Sequence, residues 1–206
     1  LSYMSPRLIG VRAGVSYTPS AGARGLDRDA DRNLPGTAPL HLDHGLEASV
    51  NFSRLMRSSG VRLSAASAIS TAEIDAVPYA ASAYDRVTSW SVGGAAEFET
   101  ITFGASFLSS DNGIEASGTY QAWTVGFTKA FGSWVVGAEY GAAEDDLTDF
   151  DGDVWNLGIS REVNEFGKVS LGYREQTLKR SGSALFTPVS EKFSQDGIVI
   201  EITLSR

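Results

Sequence analysis

The chain has 206 residues, 42% hydrophobic and 20% charged, with 22 glycines, no cysteine and a net charge of −8. Lack of cysteine rules out a disulfide framework, a thiolate metal site and a cysteine nucleophile, and an acidic balance without a basic stripe argues against nucleic acid as a partner. No apolar run reaches the roughly 20 residues of a transmembrane helix, and the mean hydropathy is close to zero, so the averages alone describe an acidic soluble globule.

The order of residues contradicts that average. Helical periodicity is weak, with Gly and Ser scattered through every apolar stretch, whereas a two-residue period is strong. After a partial strand at residues 1–4, Ile9, Val11, Ala13, Val15 and Tyr17 alternate with Gly10, Arg12, Gly14 and Ser16. The pattern returns in Leu46, Ala48, Val50, Phe52; in Val61, Leu63, Ala65; and in Trp90, Val92, Gly94, Ala96, Phe98. It continues in Ile101, Phe103, Ala105, Phe107; in Trp123, Val125, Phe127; and in Trp134, Val136, Ala138, Tyr140. Trp155, Leu157, Ile159, then Val169, Leu171, Tyr173, then Ile198, Ile200, Ile202, Leu204 complete the series. These positions predict about 10 full strands of roughly 9–11 residues each, the length of a tilted membrane-spanning strand.

The connections alternate in length. Short ones are expected at 57–60, 99–100, 130–133 and 163–167, and longer polar ones at 19–43, 71–86, 109–118, 144–153 and 177–195. Short and long in turn is the rhythm of an up-and-down antiparallel barrel with tight turns at one end and loops at the other. A Greek-key sandwich does not alternate in this way.

The apolar phase faces either a dry core or lipid. Trp90, Trp123, Trp134 and Trp155 all fall on it, each placed near a strand end, as do Tyr17, Phe98, Phe107, Tyr140 and Tyr173. Aromatics at two rims with small aliphatics between them form the girdle of a membrane barrel. The other phase is Gly, Ser, Thr and charge, too polar for a dry core and suited to a wet lumen. The fold expected is therefore all-β, a transmembrane up-and-down antiparallel β-barrel. Two other readings stay open: a soluble all-β carbohydrate-binding or structural module with the apolar phase inward, and a membrane-barrel enzyme built on loops.

On the barrel reading the functional residues are those of the polar phase: Arg12, Asn51, Arg62, Lys168 and Arg174, with Glu47, Glu97, Glu139, Glu162 and Glu201. Opposed charges across a wet lumen order water and filter solutes by charge and dipole. The carboxylates of this set outnumber the cations by one, which predicts a weak cation preference. No catalytic group is expected. His41 and His44, the two histidines of the chain, are three residues apart and so fall on opposite faces of a strand. Ser110-Asp111-Asn112 and Asn51-Phe52-Ser53 resemble known short motifs, but without the accompanying residues or the loop context those motifs need. The 144–153 connection gathers carboxylates; Asp145, Asp149, Asp151 and Asp153 are candidate calcium ligands through their oxygen-rich side chains, against the reading of a solvated acidic loop. No other cofactor is expected.

The opening segment is more specific. Tyr3-Met4-Ser5-Pro6-Arg7-Leu8-Ile9-Gly10-Val11-Arg12-Ala13-Gly14-Val15-Ser16-Tyr17-Thr18-Pro19 resembles a segment of the Gram-negative trimeric porins, particularly alphaproteobacterial ones. There a strand ends in Tyr-x-Ser-Pro, turns, and continues as a Gly-rich strand closing in Ser-Tyr-Thr-Pro. The resemblance implies a barrel of roughly sixteen strands in the outer membrane of a Gram-negative bacterium, passing small hydrophilic solutes by passive diffusion. It implies a homotrimer in contact with the bilayer and lipopolysaccharide. It also implies that residues 1–206 are the C-terminal part of the barrel domain, with N-terminal strands and a constriction loop outside this sequence. The opening Leu1-Ser2-Tyr3-Met4, which has no leader pattern, fits that expectation, whereas an ending at Arg206 departs from the aromatic last residue typical of the family.

Overall fold

In a computed structural model, the described residues are 1–20, 40–76, 86–111, 113, 119–146, 150–164, 167–184 and 187–204. They form eleven strands and no helix: β1 (Ser2–Met4), β2 (Val11–Ser20), β3 (Leu40–Met56), β4 (Val61–Ala76), β5 (Arg86–Phe98), β6 (Ile101–Ser110), β7 (Tyr120–Phe131), β8 (Trp134–Asp145), β9 (Phe150–Asn164), β10 (Gly167–Ala184) and β11 (Thr187–Leu204). All eleven lie in one sheet in sequence order, β1 to β11, each pairing antiparallel with its chain neighbours. This is the meander that the alternating connections predict.

The tight turns follow from backbone chemistry. Reversing a chain over two or three residues demands left-handed conformations. Gly60 (φ 69°) and Gly132 (φ 61°) supply them between β3 and β4 and between β7 and β8, while Glu99 (φ 51°) takes the same region in the turn from β5 to β6. β2 begins two residues later than the alternation suggests, because Ile9 (φ 53°) and Gly10 (φ 91°) are spent on the β1–β2 turn.

Several strands outrun the expected length. β10 and β11 each hold 18 residues, and their pairing continues from Gln176 opposite Gln195 to Ala184 opposite Thr187. Most of the connection expected at 177–195 is therefore a two-stranded ribbon. Likewise β4 runs on to Ala76 and β3 starts at Leu40. Once a strand leaves an apolar surrounding, the ladder of backbone hydrogen bonds persists, but nothing requires one face to stay apolar. The hydrophobic alternation stops before the strand does.

No hydrophobic residue is buried among the described residues. Successive side chains point to opposite faces, and the register sorts them cleanly. One face carries Ala105 opposite Val125, Phe103 opposite Phe127, Leu157 opposite Tyr173 and Leu171 opposite Ile200. These side chains stay uncovered: Phe103 is 60% exposed, Leu157 49% and Ile200 70%. Aromatic rings on this face touch across strands, Trp90 with Phe107 at 5.1 Å, Trp123 with Tyr140 at 5.2 Å and Tyr140 with Trp155 at 4.5 Å between centroids. At the opposite, short-turn rim the Arg161 guanidinium stands 5.0 Å from the Trp134 ring centroid, a contact that combines cation–π attraction with a polar tip. Tyr140 and Tyr173 lie in mid-strand rather than near the strand ends, because the strands continue past the aromatic row. On β7, Trp123 to Phe131 spans eight residue steps, about 27 Å along the strand. With a tilt near 40°, this shortens to roughly 20 Å along the bilayer normal, close to the apolar band of a membrane barrel.

The sorting of faces makes a direct prediction. Val125→Arg, on the apolar face between the aromatic rows, should lower the free energy of folding into lipid vesicles by about 2–4 kcal/mol. Thr128→Arg, on the other face of the same strand, should cost about 1 kcal/mol or less. Denaturant titration of folding into vesicles reads both, and equal losses would contradict the assignment.

Candidate functional site

The opposite face is concave. A trough of about 830 Å³ runs along it from Gly94 on β5 to Glu201 on β11, and Thr102, Ser106, Thr124, Thr128, Ser160 and Ser170 give it a hydroxyl lining. Small residues let the strands curve without crowding this side: Gly104 sits opposite Gly126, and Gly158 opposite both Gly137 and Gly172. The hydroxyls bond across strands where they face one another, Ser106 to Thr124 at 2.8 Å and Ser89 to Ser110 at 2.8 Å.

The register places the ten polar-phase residues singled out from the sequence on this one face. Arg12 is opposite Asn51, and Glu47 is opposite Ser16 and Ser70. Arg62 is opposite Glu97. Glu139 is opposite Asn156, which is in turn opposite Arg174, and Glu162 is opposite Lys168. Glu201 is opposite Ser170. Arg12 and Asn51 are half-buried and the other eight are exposed, as expected of side chains standing on a wet wall rather than in a core.

Their charges are partly tied up. Arg62 Nε lies 3.5 Å from Glu97 Oε2, an exposed pair along one rung. The Glu139 carboxylate accepts a hydrogen bond from Asn156 Nδ2 at 3.0 Å, so Asn156 joins the site although alternation of charge alone did not mark it. Arg7 was also missed. It lies outside any strand, yet its Nη2 reaches back to donate to Asn51 Oδ1 at 2.9 Å. Arg7 thus adds one cation to those singled out on this wall.

The remaining candidates separate. Asp145 lies on the concave phase, whereas Asp151, opposite Glu144, and Asp153, opposite Ala142, belong to the outward phase. Asp149 lies outside the described residues. The alternation of the strand thus divides the proposed calcium ligands between two faces, and among the described residues no three His, Cys, Asp or Glu side chains gather as a metal site. The His41 side chain also lies outside the described residues. His44, at φ 54°, sits in a register break between Asp43 and Leu46, and its Nδ1 shares a hydrogen bond with the Tyr17 hydroxyl at 2.8 Å. Its role there is to seat an outward-face tyrosine at the rim.

An exposed pair such as Arg62–Glu97 gains little from Coulomb attraction in a wet setting. Replacing Arg62 by Gln should shift stability by less than about 1 kcal/mol in denaturant titration, and a larger loss would mean that this part of the face is dry.

Comparison with known proteins agrees with this arrangement. A sequence profile described as Gram-negative porin matches residues 1–184. Among solved structures, the anion-selective porin from Comamonas acidovorans superposes with a TM-score of 0.68 at 15% identity, over 99% of this chain and 58% of that one. The outer-membrane channel DcaP of Acinetobacter baumannii gives 0.65 at 13% identity, over 99% and 61%. OmpT of Vibrio cholerae gives 0.60 at 12% identity, over 99% and 64%. The chain therefore spans less than two thirds of the length of each, and at these identities the likeness speaks for the fold. No match was found among curated protein sequences.

Proposed function

Because the chain belongs to the Gram-negative porin family, we propose that it forms much of the wall of a water-filled outer-membrane channel through which small hydrophilic solutes and ions diffuse passively. The observation that carries this reading is the concave trough lined by the polar phase while the apolar phase stays uncovered on the convex side. That arrangement inverts a soluble protein: water belongs inside the curve, and hydrocarbon outside it. A soluble carbohydrate-binding module would have to leave Phe103, Leu157 and Ile200 in water, an apolar surface far larger than soluble monomers tolerate. An enzyme on the same scaffold would need a nucleophile within reach of a base, and the described residues that crowd the wall are hydroxyls, amides and partly paired charges.

The lipid-facing surface makes the bilayer itself a partner, with lipopolysaccharide at the loop-side aromatic row. A homotrimer is the assembly proposed, on the strength of the family resemblance. Residues 1–206 are proposed to supply the C-terminal strands of a larger barrel, on the strength of the opening segment's resemblance; the share of the solved relatives' length that the chain covers is in keeping with part of a larger barrel.

The test is electrical. The full-length protein, extracted with detergent and added to a planar lipid bilayer, should insert in discrete conductance steps that scale with bulk salt conductivity, and chemical crosslinking in detergent should yield a trimer. A monodisperse monomer that stays soluble without detergent and leaves the bilayer silent would overturn the proposal.

A further inference from the structure

The convex face carries its charges unequally at its two edges. Within the described strands, three cations interrupt its apolar phase close to the short turns. Arg54 lies two residues before the end of β3, Lys129 two before the end of β7 and Arg161 three before the end of β9. The register turns all three outward among apolar partners. Arg54 is opposite Leu63, Lys129 lies between Ile101 and Val136, and Arg161 lies between Trp134 and Val169. All three are exposed, and the ion pairs among the described residues, Arg62–Glu97 and Arg86–Glu73, involve none of them. Glu97 and Glu162, at the same ends of their strands, are committed to the concave face opposite Arg62 and Lys168. Glu99 belongs to the β5–β6 turn, outside the strand phase.

The loop-side edge of the convex face has the opposite character. Glu144 stands opposite Asp151 and Glu175 opposite Asp196, so carboxylates confront each other on two rungs. Arg86 is engaged there by Glu73 at 2.7 Å, and Lys179 faces Asp151. The apolar band is thus bounded by cations without a counter-charge on one side and by abundant carboxylates on the other. A cation among apolar side chains in lipid is costly unless its head reaches the interface. Lys129 shares its face of β7 with Phe127 and Phe131, both exposed, so its stem covers apolar surface while the ammonium extends to the rim. The Trp134 ring, 5.0 Å from the Arg161 guanidinium, holds that charge at the edge of the band.

We propose that Arg54, Lys129 and Arg161 form a docking belt for the headgroups of anionic glycerophospholipids in the leaflet on the short-turn side. A headgroup with net negative charge supplies the counter-charge that the strands withhold, whereas a zwitterionic headgroup brings a cation of its own. The guanidinium forks match paired phosphate oxygens, and Lys129 acts as a point charge beside them. The carboxylates at the far edge repel the same lipid, so the selection is confined to one leaflet. The belt rests on the reading of the convex face as lipid-facing and is independent of conduction.

Tryptophan quenching in vesicles tests the belt. Variants of the full-length protein that keep Trp134 or Trp155 as the sole tryptophan, the others replaced by phenylalanine, are reconstituted into phosphatidylcholine vesicles. A minor fraction of the lipid carries brominated acyl chains, either as phosphatidylglycerol or as phosphatidylcholine. Trp134, at the short-turn rim, should be quenched about two- to fivefold more by the brominated phosphatidylglycerol, as expected for cations near the membrane surface. The excess should shrink in high salt and vanish in the Arg54→Gln/Lys129→Gln/Arg161→Gln variant, while Arg161→Lys, which keeps the charge, should retain most of it. Trp155, in the loop-side row, should show no excess. Equal quenching of Trp134 by the two lipids, an excess that survives the triple substitution, or the same excess at Trp155 overturns the belt. If neither brominated lipid quenches either tryptophan, the lipid-facing reading falls and the belt with it.

Discussion

A backbone N–H or C=O left unpaired in hydrocarbon costs several kcal/mol, because no water is present to satisfy it. In this protein that constraint takes the place of a hydrophobic core. The described residues include no buried hydrophobic side chain, so the strands from β2 to β10 are each held by a ladder on both sides, and side-chain packing is secondary. Aromatic contacts such as Tyr140–Trp155 join neighbouring strands across one face, and they add to a register already set by backbone pairing and tight turns. Either face can then vary widely in sequence without loss of the fold, which agrees with solved structures that superpose well at 12–15% identity.

The same constraint explains how much of the molecule could be read from residues alone. Alternation is forced wherever one face meets lipid and the other water, so the strand phase and the ten polar wall residues were legible from Arg12 to Glu201. The ends of the strands were not. Between Gln176 and Gln195 both faces of the ribbon are free of the demand for apolar side chains, and hydrogen bonding continues there without a hydrophobic signature. Arg7 escaped for a different reason. Phase arguments apply inside strands, and Arg7 reaches the wall from a turn whose path depends on Gly10 meeting Ser53. The one available signal was a glycine after Ile9 in a segment that reads as strand, since an isolated glycine there marks a bulge or a close backbone approach.

Charge on the wall is better described by its pairing than by its sum. Arg62 and Glu97 neutralise each other at 3.5 Å, Glu162 faces Lys168 across one rung, and Glu139 is engaged by an amide. A count of acidic against basic residues treats these groups as equal contributors to a lumen field, whereas the field is set by those left without an opposite partner.

The long β10–β11 ribbon shows how far backbone pairing reaches without a hydrophobic face. From Tyr173, in the aromatic row, β10 continues for eleven residues to Ala184, about 37 Å of extended chain. That length exceeds what an apolar band of roughly 25 Å requires. The ladder continues along it from Gln176 opposite Gln195 to Ala184 opposite Thr187, so backbone pairing alone carries the two strands on past the rows where apolar and polar residues alternate.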